Sequence, residues 1–375
     1  MLYSLITIWR ERNRFLPGIL AVSFSAVLIA VQCSLLLGMF SIVSIPIDRS
    51  SADIWVGHPG VLSIDLSLPI PEEWQTRLAA QPEVARTEIY LQGYVLWSRS
   101  QDGAVETCAV IGTRLDDDAV GAIRDLSPEL RFRLTEPGAI VVDEAERERL
   151  GITREGYVAE VMGCRVCVVG FVNGLKGLTG AYIFCSIQTA RMLLSHAGLR
   201  DDQAIYLLAR CHDPADAPKV VRRLRDYPNM SAFTAEEFSR RSRLHWLTKT
   251  KAGLSLSCAA LLGLIDGAAV TSQTLYAATV ASLREYAVLE ALGIPTWRMI
   301  AMVLAQSLWV GLLGILLAVP VIFGMVWLFE RLGSKVMLPP WLLAATVAVT
   351  LAMALLSGVI ALRSLRLVEP TSLLR

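Results

Sequence analysis

Cysteines and histidines are the residues best suited to metal binding or redox chemistry, and their spacing in this sequence favours neither. Cys164 and Cys167 form a CxxC pattern, but Met162 and Gly163 before them predict a hairpin turn that places both thiols on the next strand. Three residues of strand separate the two Cα atoms by about 10 Å, beyond the roughly 7 Å that a disulfide spans. The sequence has no second CxxC and no HxxxH to complete a zinc site.

The other residues that could bind a metal or catalyse a reaction are equally scattered along the sequence. Several cysteines alternate like strand core positions, so we expect small apolar core groups at Cys108, Cys164, Cys167, Cys185 and Cys211. An odd number of thiols argues against a complete disulfide framework. The histidines are scattered, without a Ser/His/Asp or Cys/His grouping. The acidic run at 116–118 is a cation-site candidate, although a solvated loop is the commoner use of such a run.

The sequence also lacks the loop that binds nucleotide phosphates. No GxxxxGK[ST] occurs, and the nearest glycine-rich run, GFVNGLKGLTG at 170–180, lacks the Gly-Lys-Ser/Thr ending. This run is either a mobile loop that touches a substrate or partner, or an ordinary turn. We therefore expect no cofactor, no metal and no catalysis in this chain, and any ATPase activity must come from another subunit.

Composition places the chain partly in a membrane. Of its 375 residues, 54% are hydrophobic and only 18% are charged, and the mean hydropathy is +0.50. The chain is therefore too apolar for an ordinary soluble protein and too charged for a wholly intramembrane one. The net charge of +1 and the lack of a basic stripe argue against nucleic acid as a partner.

Four segments are long and apolar enough to cross a bilayer, which takes about 20 helical residues. They are 15–46, 252–281, 299–329 and 341–362. The first is too long for the apolar core of a secretory signal and is interpreted as a retained anchor. Before it, 1–14 is predicted to be an interfacial helix at the inner membrane surface, because apolar residues at helical spacing precede a basic end.

Basic residues predict the orientation. Arginines precede the first span and follow the fourth, so we expect a multi-pass inner-membrane protein with both termini, including the tail 363–375, in the cytoplasm. Residues 47–250 then lie outside and 282–298 inside. One feature opposes this topology, namely a basic group just before the second span: Arg240, Arg241, Arg243, Lys249 and Lys251. The charge rule is weak next to long translocated domains, so the prediction stands.

The outer region is predicted to be a mixed α/β domain. Extended runs begin near residues 52, 88, 106, 138, 166, 182 and 204, with helical patterns between several of them. Two stretches share the order strand, helix, strand, which indicates two halves of one subdomain, about 47–97 and 201–235. Residues of about 98–200 are then an inserted second subdomain. The fold class is therefore a four-helix membrane protein with an α/β extracytoplasmic domain between helices 1 and 2.

A helix is predicted to begin after Thr234, because Glu237 three residues later completes a capping-box pattern. Without proline up to about Ser282, one continuous helix of about 48 residues would measure roughly 70 Å. Its first part, 235–251, would form a stalk that projects into the outer domain. The alternative is a break near residues 249–253.

These features together resemble the permease subunits of the FtsX/MacB class of ABC systems, most closely the DevC-like exporter permeases. Around the first span, ITIWRERNRFLPGILAVSFSAVLIAVQ carries Trp9, Arg14 and Gln32 at matching places, and SADIWVGHPG resembles the start of that family's outer domain. The run QTLYAATVASLREYAVLEALG resembles its most recognisable segment. The tail ALRSLRLVEPTSLLR resembles its closing pattern.

The sequence departs from the family pattern at two acidic residues. Glu290 stands where lysine is usual in the cytoplasmic turn. Asp266 stands in a usually apolar stretch near the middle of the second span, where an acid costs roughly 2.5 to 3.5 kcal/mol. It should face protein or water, or be protonated, and two readings remain: it lines a substrate or proton path at a dimer interface, or it bonds to a polar neighbour. Gln32 and Gln273 are the other intramembrane polar candidates.

The resemblance implies coupling to a cytoplasmic ABC ATPase dimer, which grips the turn after the second span and moves the outer domain. The implied coupling residues are Arg284, Glu285, Tyr286, Leu289, Glu290, Gly293 and Pro295. On this reading Arg284 and Glu285 enter the ATPase cleft, and Gly293 and Pro295 set the turn. The alternative is a solvated turn at the membrane edge.

Two functions follow from the resemblance. In the first, a homodimer in membrane lipid works with a periplasmic membrane-fusion adaptor and an outer-membrane tunnel to export a lipid-like or amphiphilic substrate. In the second, the same ATP-driven movement of the outer domain regulates a periplasmic cell-wall hydrolase. The outer domain of about 200 residues, with its inserted subdomain, favours the exporter.

Overall fold

A computed structural model describes residues 12–99, 103–177, 180–281, 295–332 and 335–367. The chain divides into two compact units. Residues 40–250 form the first unit, called here the α/β domain. The second unit, called the helical domain, comprises the described residues up to 39 and from 251 onward. The predicted interfacial helix 1–14 and the tail 363–375 lie largely outside the described residues.

The helical domain contains four long helices that are apolar enough to cross a membrane, which confirms the predicted fold class. The candidate spans are Phe15–Val43, Gly253–Thr274, Ile300–Arg331 and Pro340–Val359. The helices that contain them are α1 (Arg12–Val43), α9 (Lys251–Ala281), α10 (Thr296–Arg331) and α11 (Pro340–Leu367).

The α/β domain contains the remaining elements. Its helices are α2 (Ile45–Asp48), α3 (Gln75–Ala79), α4 (Pro128–Arg133), α5 (Arg147–Leu150), α6 (Ile187–Ser195), α7 (Ala217–Leu224) and α8 (Ala235–Lys249). Its strands are β1 (Ile54–Gly57), β2 (Ile70–Pro71), β3 (Val84–Ser98), β4 (Val105–Thr113), β5 (Ala139–Asp143), β6 (Tyr157–Val161), β7 (Cys164–Val172), β8 (Ala181–Ser186), β9 (Gln203–Ala204), β10 (Tyr206–Cys211) and β11 (Ser231–Thr234).

Two strand–helix–strand units lie together in one antiparallel sheet. Strands β11, β1, β10 and the first half of β3 are neighbours in that order, with α3 following β1 and α7 following β10. The second unit therefore places its strands on either side of β1, and a split βαβ arrangement results. Residues of about 47–97 and 201–235 supply these two units.

The intervening chain closes into a second sheet. Strands β4, β8, β5, β7 and β6 continue from the second half of β3, and β6 pairs back with β3 at Trp97 and Ser98. Closure pairs the edge strands of this six-stranded sheet, which removes edges that would otherwise attract other chains. Strand β3 belongs to both sheets, pairing with β10 in one and with β4 in the other.

Large apolar side chains fill both faces of the sheets. Trp55 of β1 is fully buried, and its ring lies 5.1 Å from that of Tyr90 and 5.5 Å from that of Tyr206, both edge-on. Phe238 of α8 packs 5.8 Å from the same ring. Because Phe238 belongs to α8, this aromatic cluster fixes the first turns of that helix on the sheet.

The structure has two helices where the sequence favoured one continuous helix. Helix α8 ends at Lys249 because Thr250 adopts an extended backbone, with φ −95° and ψ 147°. The Thr250 hydroxyl donates to the Trp246 carbonyl over 2.6 Å, so it satisfies one of the carbonyls left open at the helix end. The prediction of a single helix was wrong, and the alternative break near residues 249–253 is correct.

Candidate functional site

The predicted ATPase-coupling residues fall mostly outside the described residues. Arg284, Glu285, Tyr286, Leu289, Glu290 and Gly293 all lie there. Pro295 is described: it is exposed and precedes α10 with an extended backbone, φ −66° and ψ 140°. Proline suits this position because its φ is fixed near the observed value and it cannot donate a backbone hydrogen bond.

Two of the predicted intramembrane polar residues share one face of α9. Asp266 and Gln273 are seven residues apart, which is close to two helical turns, and both are exposed in the single chain. Ala269 lies between them on the same exposed face. We call Asp266, Ala269 and Gln273 the polar face of α9.

The third intramembrane candidate, Gln32, lies on α1 and packs against the second span. A Cβ added to Gly263 of α9 would lie 2.3 Å from Oε1 of Gln32. One turn further, the Ser25 hydroxyl donates to the Gly267 carbonyl over 3.0 Å. Gly263 and Gly267 form a GxxxG spacing, which lets two helix backbones approach closely in a membrane. The structure shows that the partner of this motif is α1.

A different face of α9 from the one that contacts α1 packs against α11. There the Ser272 and Ser357 hydroxyl oxygens lie 3.0 Å apart. Contacts with α1 and α11 therefore occupy other faces of α9, and the polar face remains exposed within one chain. An exposed carboxyl in the middle of a membrane span is costly against lipid. This face consequently calls for protein or water beside it.

A polar cluster joins α2 and α8, the two helices of the α/β domain that adjoin the first and second spans in the sequence. Arg243 of α8 forms an ion pair with Asp48 of α2 and donates from Nε to the Ser44 hydroxyl over 2.7 Å. The Ser44 and Ser239 hydroxyls each donate to the Asp48 carboxylate, also over 2.7 Å. We call these four residues the junction cluster. Asp48 thus neutralises Arg243, one of the basic residues before the second span that opposed the predicted topology.

The rest of α8 is bonded to the loop that follows β1. The Ile64 backbone N–H donates to Ser242 over 3.1 Å, and the Trp246 indole donates to both oxygens of Asp65 over 3.1 Å. Arg241 donates to the Val61 carbonyl over 3.1 Å. Helix α8 is thus held to the α/β domain almost to its last turn. The sequence did not reveal these contacts because the partners lie some 180 residues apart.

The start of α8 only partly follows the predicted capping box. The Thr234 hydroxyl accepts a hydrogen bond from the Glu237 backbone N–H over 3.2 Å, as expected. The Glu237 carboxylate instead accepts from Arg225 over 2.6 Å. A charged partner outcompetes the backbone amide for this carboxylate, because charge-assisted hydrogen bonds are stronger.

Of the five cysteines predicted to be core groups, Cys108, Cys185 and Cys211 are buried, whereas Cys164 and Cys167 are only partly buried. Burial raises the pKa of Cys108 to about 12 and the pKa of Cys211 to about 11, so neither is a thiolate near neutral pH. Cys164 and Cys167 both lie on β7 after a turn in which Met162 and Gly163 have positive φ, as predicted. All seven cysteines are free.

The other sequence candidates are bonded within the fold. Asp116 of the acidic run forms an ion pair with Arg86, and Arg210 donates to the Asp118 carbonyl over 3.2 Å. In the loop after β7, the Leu175 backbone N–H donates to the buried Asp143 carboxylate. Among the described residues, no group of three or more metal-ligating side chains occurs.

One family model matches part of this chain, and solved structures show distant similarity to another part. Residues 257–370 match the family model described as FtsX-like permease C-terminal. No curated protein matches the chain. The extracellular domain of the noncanonic ABC-type transporter YknZ from Gram-positive bacteria is 14% identical, with a TM-score of 0.33, over 48% of this chain and 98% of that one. The periplasmic region of MacB from Actinobacillus actinomycetemcomitans is 9% identical, with a TM-score of 0.35, over 52% and 94%.

The chain thus combines four candidate membrane spans, an α/β domain between the first two, and a C-terminal region, 257–370, that is similar to FtsX-like permeases. The FtsX-like permease family is a transporter component rather than a catalytic enzyme, and permeases of this kind work with an ABC ATPase.

Proposed function

We propose that this chain is the permease subunit of an ABC exporter of the DevC-like kind. A separate cytoplasmic ATPase dimer hydrolyses ATP, and the chain converts that work into movement of the α/β domain. A periplasmic adaptor and an outer-membrane tunnel receive a lipid-like or amphiphilic substrate. The chain lies in the inner membrane with both termini in the cytoplasm.

The observation that supports this function is the bonding of α8. This helix is tied to the α/β domain by the junction cluster, Ser242 and Trp246, and a single extended residue separates it from α9. Helix α9 leads directly to the turn 282–298. A rigid helix transmits displacement along its axis, so a movement of the turn reaches the start of α8 through few flexible bonds.

Within the turn, Arg284 and Glu285 enter the ATPase cleft, while Tyr286, Leu289 and Glu290 line the contact. Gly293 and Pro295 direct the chain back into the membrane, and the extended backbone at Pro295 is consistent with that role. Charged residues suit a contact that forms and breaks in each cycle, because exposed ion pairs contribute only about 0–1 kcal/mol each.

A second copy of the chain covers the polar face of α9. Asp266 and Gln273 then form hydrogen bonds across a two-fold interface instead of facing lipid. In such an interface each residue meets its own symmetry mate or a neighbour of that mate. A protonated carboxyl and an amide can each donate and accept, so a self-complementary contact satisfies both.

The experiment that tests this function is capture of the tagged full-length chain in mild detergent, with its partners identified by mass spectrometry. An ABC ATPase together with a periplasmic adaptor supports export. An ATPase together with a cell-wall hydrolase replaces export with regulation of that hydrolase. Recovery of intact chain without an ATPase contradicts both.

A further inference from the structure

A cleft in the α/β domain has the composition of a small-molecule site. It lies between the loop before β2, the middle of β3 and the turn after α6, and its volume is about 280 Å³. Its apolar and polar walls include Ile64, Asp65, Gln92, Tyr94, Leu199 and Ile205. Ligand sites are typically concave and mostly apolar, with a few polar groups that fix orientation.

Gln92 is the first feature that points to a ligand. The residue is only 7% exposed, and its Oε1 has no hydrogen-bond partner among the described residues. A buried carbonyl oxygen without a donor is unfavourable, and folded proteins rarely leave one unsatisfied. The amide therefore calls for an N–H or O–H donor from a bound molecule.

Asp65 is the second feature, and it adds charge. Its carboxylate accepts hydrogen bonds from the Trp246 indole and the Ser63 hydroxyl, both of which are neutral. Among the described residues, no cationic side chain pairs with it. The cleft lining thus combines the Asp65 carboxylate and the residue that carries the unpartnered Gln92 Oε1 with the apolar side chains of Ile64 and Ile205.

We propose that this cleft binds a small amphiphile with a primary ammonium group. The ammonium has three donors for the Asp65 carboxylate and for Gln92 Oε1, which the ligand reaches once the Gln92 side chain rotates toward the cleft. The apolar part packs against Ile64, Leu199 and Ile205. A volume of about 280 Å³ lies just below the usual range for ligand sites, so it accommodates a head group with a short chain rather than a whole lipid.

A ligand in the cleft also affects α8. Asp65 holds Trp246, the residue four positions before the helix break at Thr250. An ammonium that competes for the same carboxylate alters the hydrogen bonding of that indole. The site therefore links a ligand to the helix that precedes the second span. Binding is a property of this cleft alone and does not depend on export.

The test is titration of the full-length chain in lipid nanodiscs with hexylammonium, and with hexanol as the neutral analogue. Calorimetry measures affinity, and tryptophan fluorescence follows Trp246. The variants are Asp65→Asn, which keeps an acceptor for the indole but removes the charge, and Gln92→Leu. Asp226→Asn, an exposed aspartate outside the cleft, is the matched control.

We expect hexylammonium to bind more tightly than hexanol and to change the fluorescence. Asp65→Asn should weaken binding about 10- to 100-fold, and Gln92→Leu about 2- to 10-fold, because a charged hydrogen bond contributes more than a neutral one. In Trp246→Phe the fluorescence change should disappear while calorimetric binding persists. Equal uptake of hexylammonium by the wild type and both cleft variants, all folded by circular dichroism, overturns the proposal.

Discussion

Glu146 shows how a single buried carboxylate affects stability in the α/β domain. Its side chain is almost fully buried, its Oε1 has no partner among the described residues, and Arg149 lies 3.5 Å from its other oxygen. Burial outweighs that arginine, so the pKa of Glu146 is raised. The folded state therefore favours the protonated acid, and the charged form is a cost at neutral pH.

The expected consequence is a pH-dependent gain in Glu146→Gln. The contribution of protonated Glu146 is fully present below the unfolded pKa of about 4.3 and is lost as pH rises through the higher folded pKa. The variant should therefore melt at a higher temperature than the wild type at pH 7.5, and the difference should vanish near pH 4. Thermal unfolding followed by circular dichroism measures this. Glu148→Gln, at an exposed position, is the control, and an equal gain there would contradict the account.

At the scale of elements, helix packing in the membrane depends on particular glycines. Gly314 and Gly324 lie on the same helix, α10, but have different surroundings. A Cβ at Gly314 would lie 2.6 Å from Val22 Cγ1 and 3.1 Å from the Ile19 carbonyl oxygen of α1, whereas nothing lies within 4 Å at Gly324. Val22 is β-branched and cannot turn away easily.

We expect Gly314→Ala to destabilise the protein by about 1–3 kcal/mol, the usual cost of overpacking. Gly324→Ala should be neutral or stabilising by up to about 1 kcal/mol, because alanine is the better helix former. Thermal stability of each purified variant in the same detergent distinguishes them. Identical behaviour of the two variants would show that α1 and α10 do not pack in this way.

The junction cluster makes a second prediction about elements. Asp48→Ala removes the acceptor for Arg243, Ser44 and Ser239 together. Both charged side chains are about 40% exposed (42% and 37%), so solvent screens the ion pair and the whole cluster contributes about 1–2 kcal/mol. Amide hydrogen exchange should accelerate across α8 in Asp48→Ala and remain unchanged in Asp226→Ala. Unchanged hydrogen exchange in α8 would show that the junction cluster does not hold α8 to the α/β domain.

The elements differ in how far their sequences reveal them. Strands such as β3 and β7 were predictable because long alternating or apolar runs mark buried strands. Strand β6 was missed because YVAEV is short, has one acidic residue and depends on closure against β3. The junction cluster could not be predicted, since Arg243 and Asp48 are 195 residues apart. The break at Thr250 appeared only as an alternative, because threonine is compatible with either backbone.

At the scale of the whole molecule, the proposed homodimer places the polar face of α9 between two copies. Ala269→Cys, in a chain whose Cys258 is replaced by serine, should form a disulfide-linked dimer upon mild oxidation in membranes. Leu316→Cys on α10, 70% exposed, should not cross-link and serves as the lipid-facing control. Non-reducing electrophoresis measures both. Equal cross-linking at the two positions, or cross-linking only at 316, would contradict this interface.

The central proposal is that the turn 282–298 couples this chain to an ABC ATPase. The measurement that tests it most directly is the amount of ATPase retained by the tagged chain in wild type, Glu285→Arg and Glu330→Gln, the last at the opposite end of α10 from Pro295. We predict equal ATPase retention in wild type and Glu330→Gln and at least a tenfold loss in Glu285→Arg, which corresponds to about 1.4 kcal/mol or more. Undiminished retention in Glu285→Arg, or an absence of ATPase from all three, would contradict the claim.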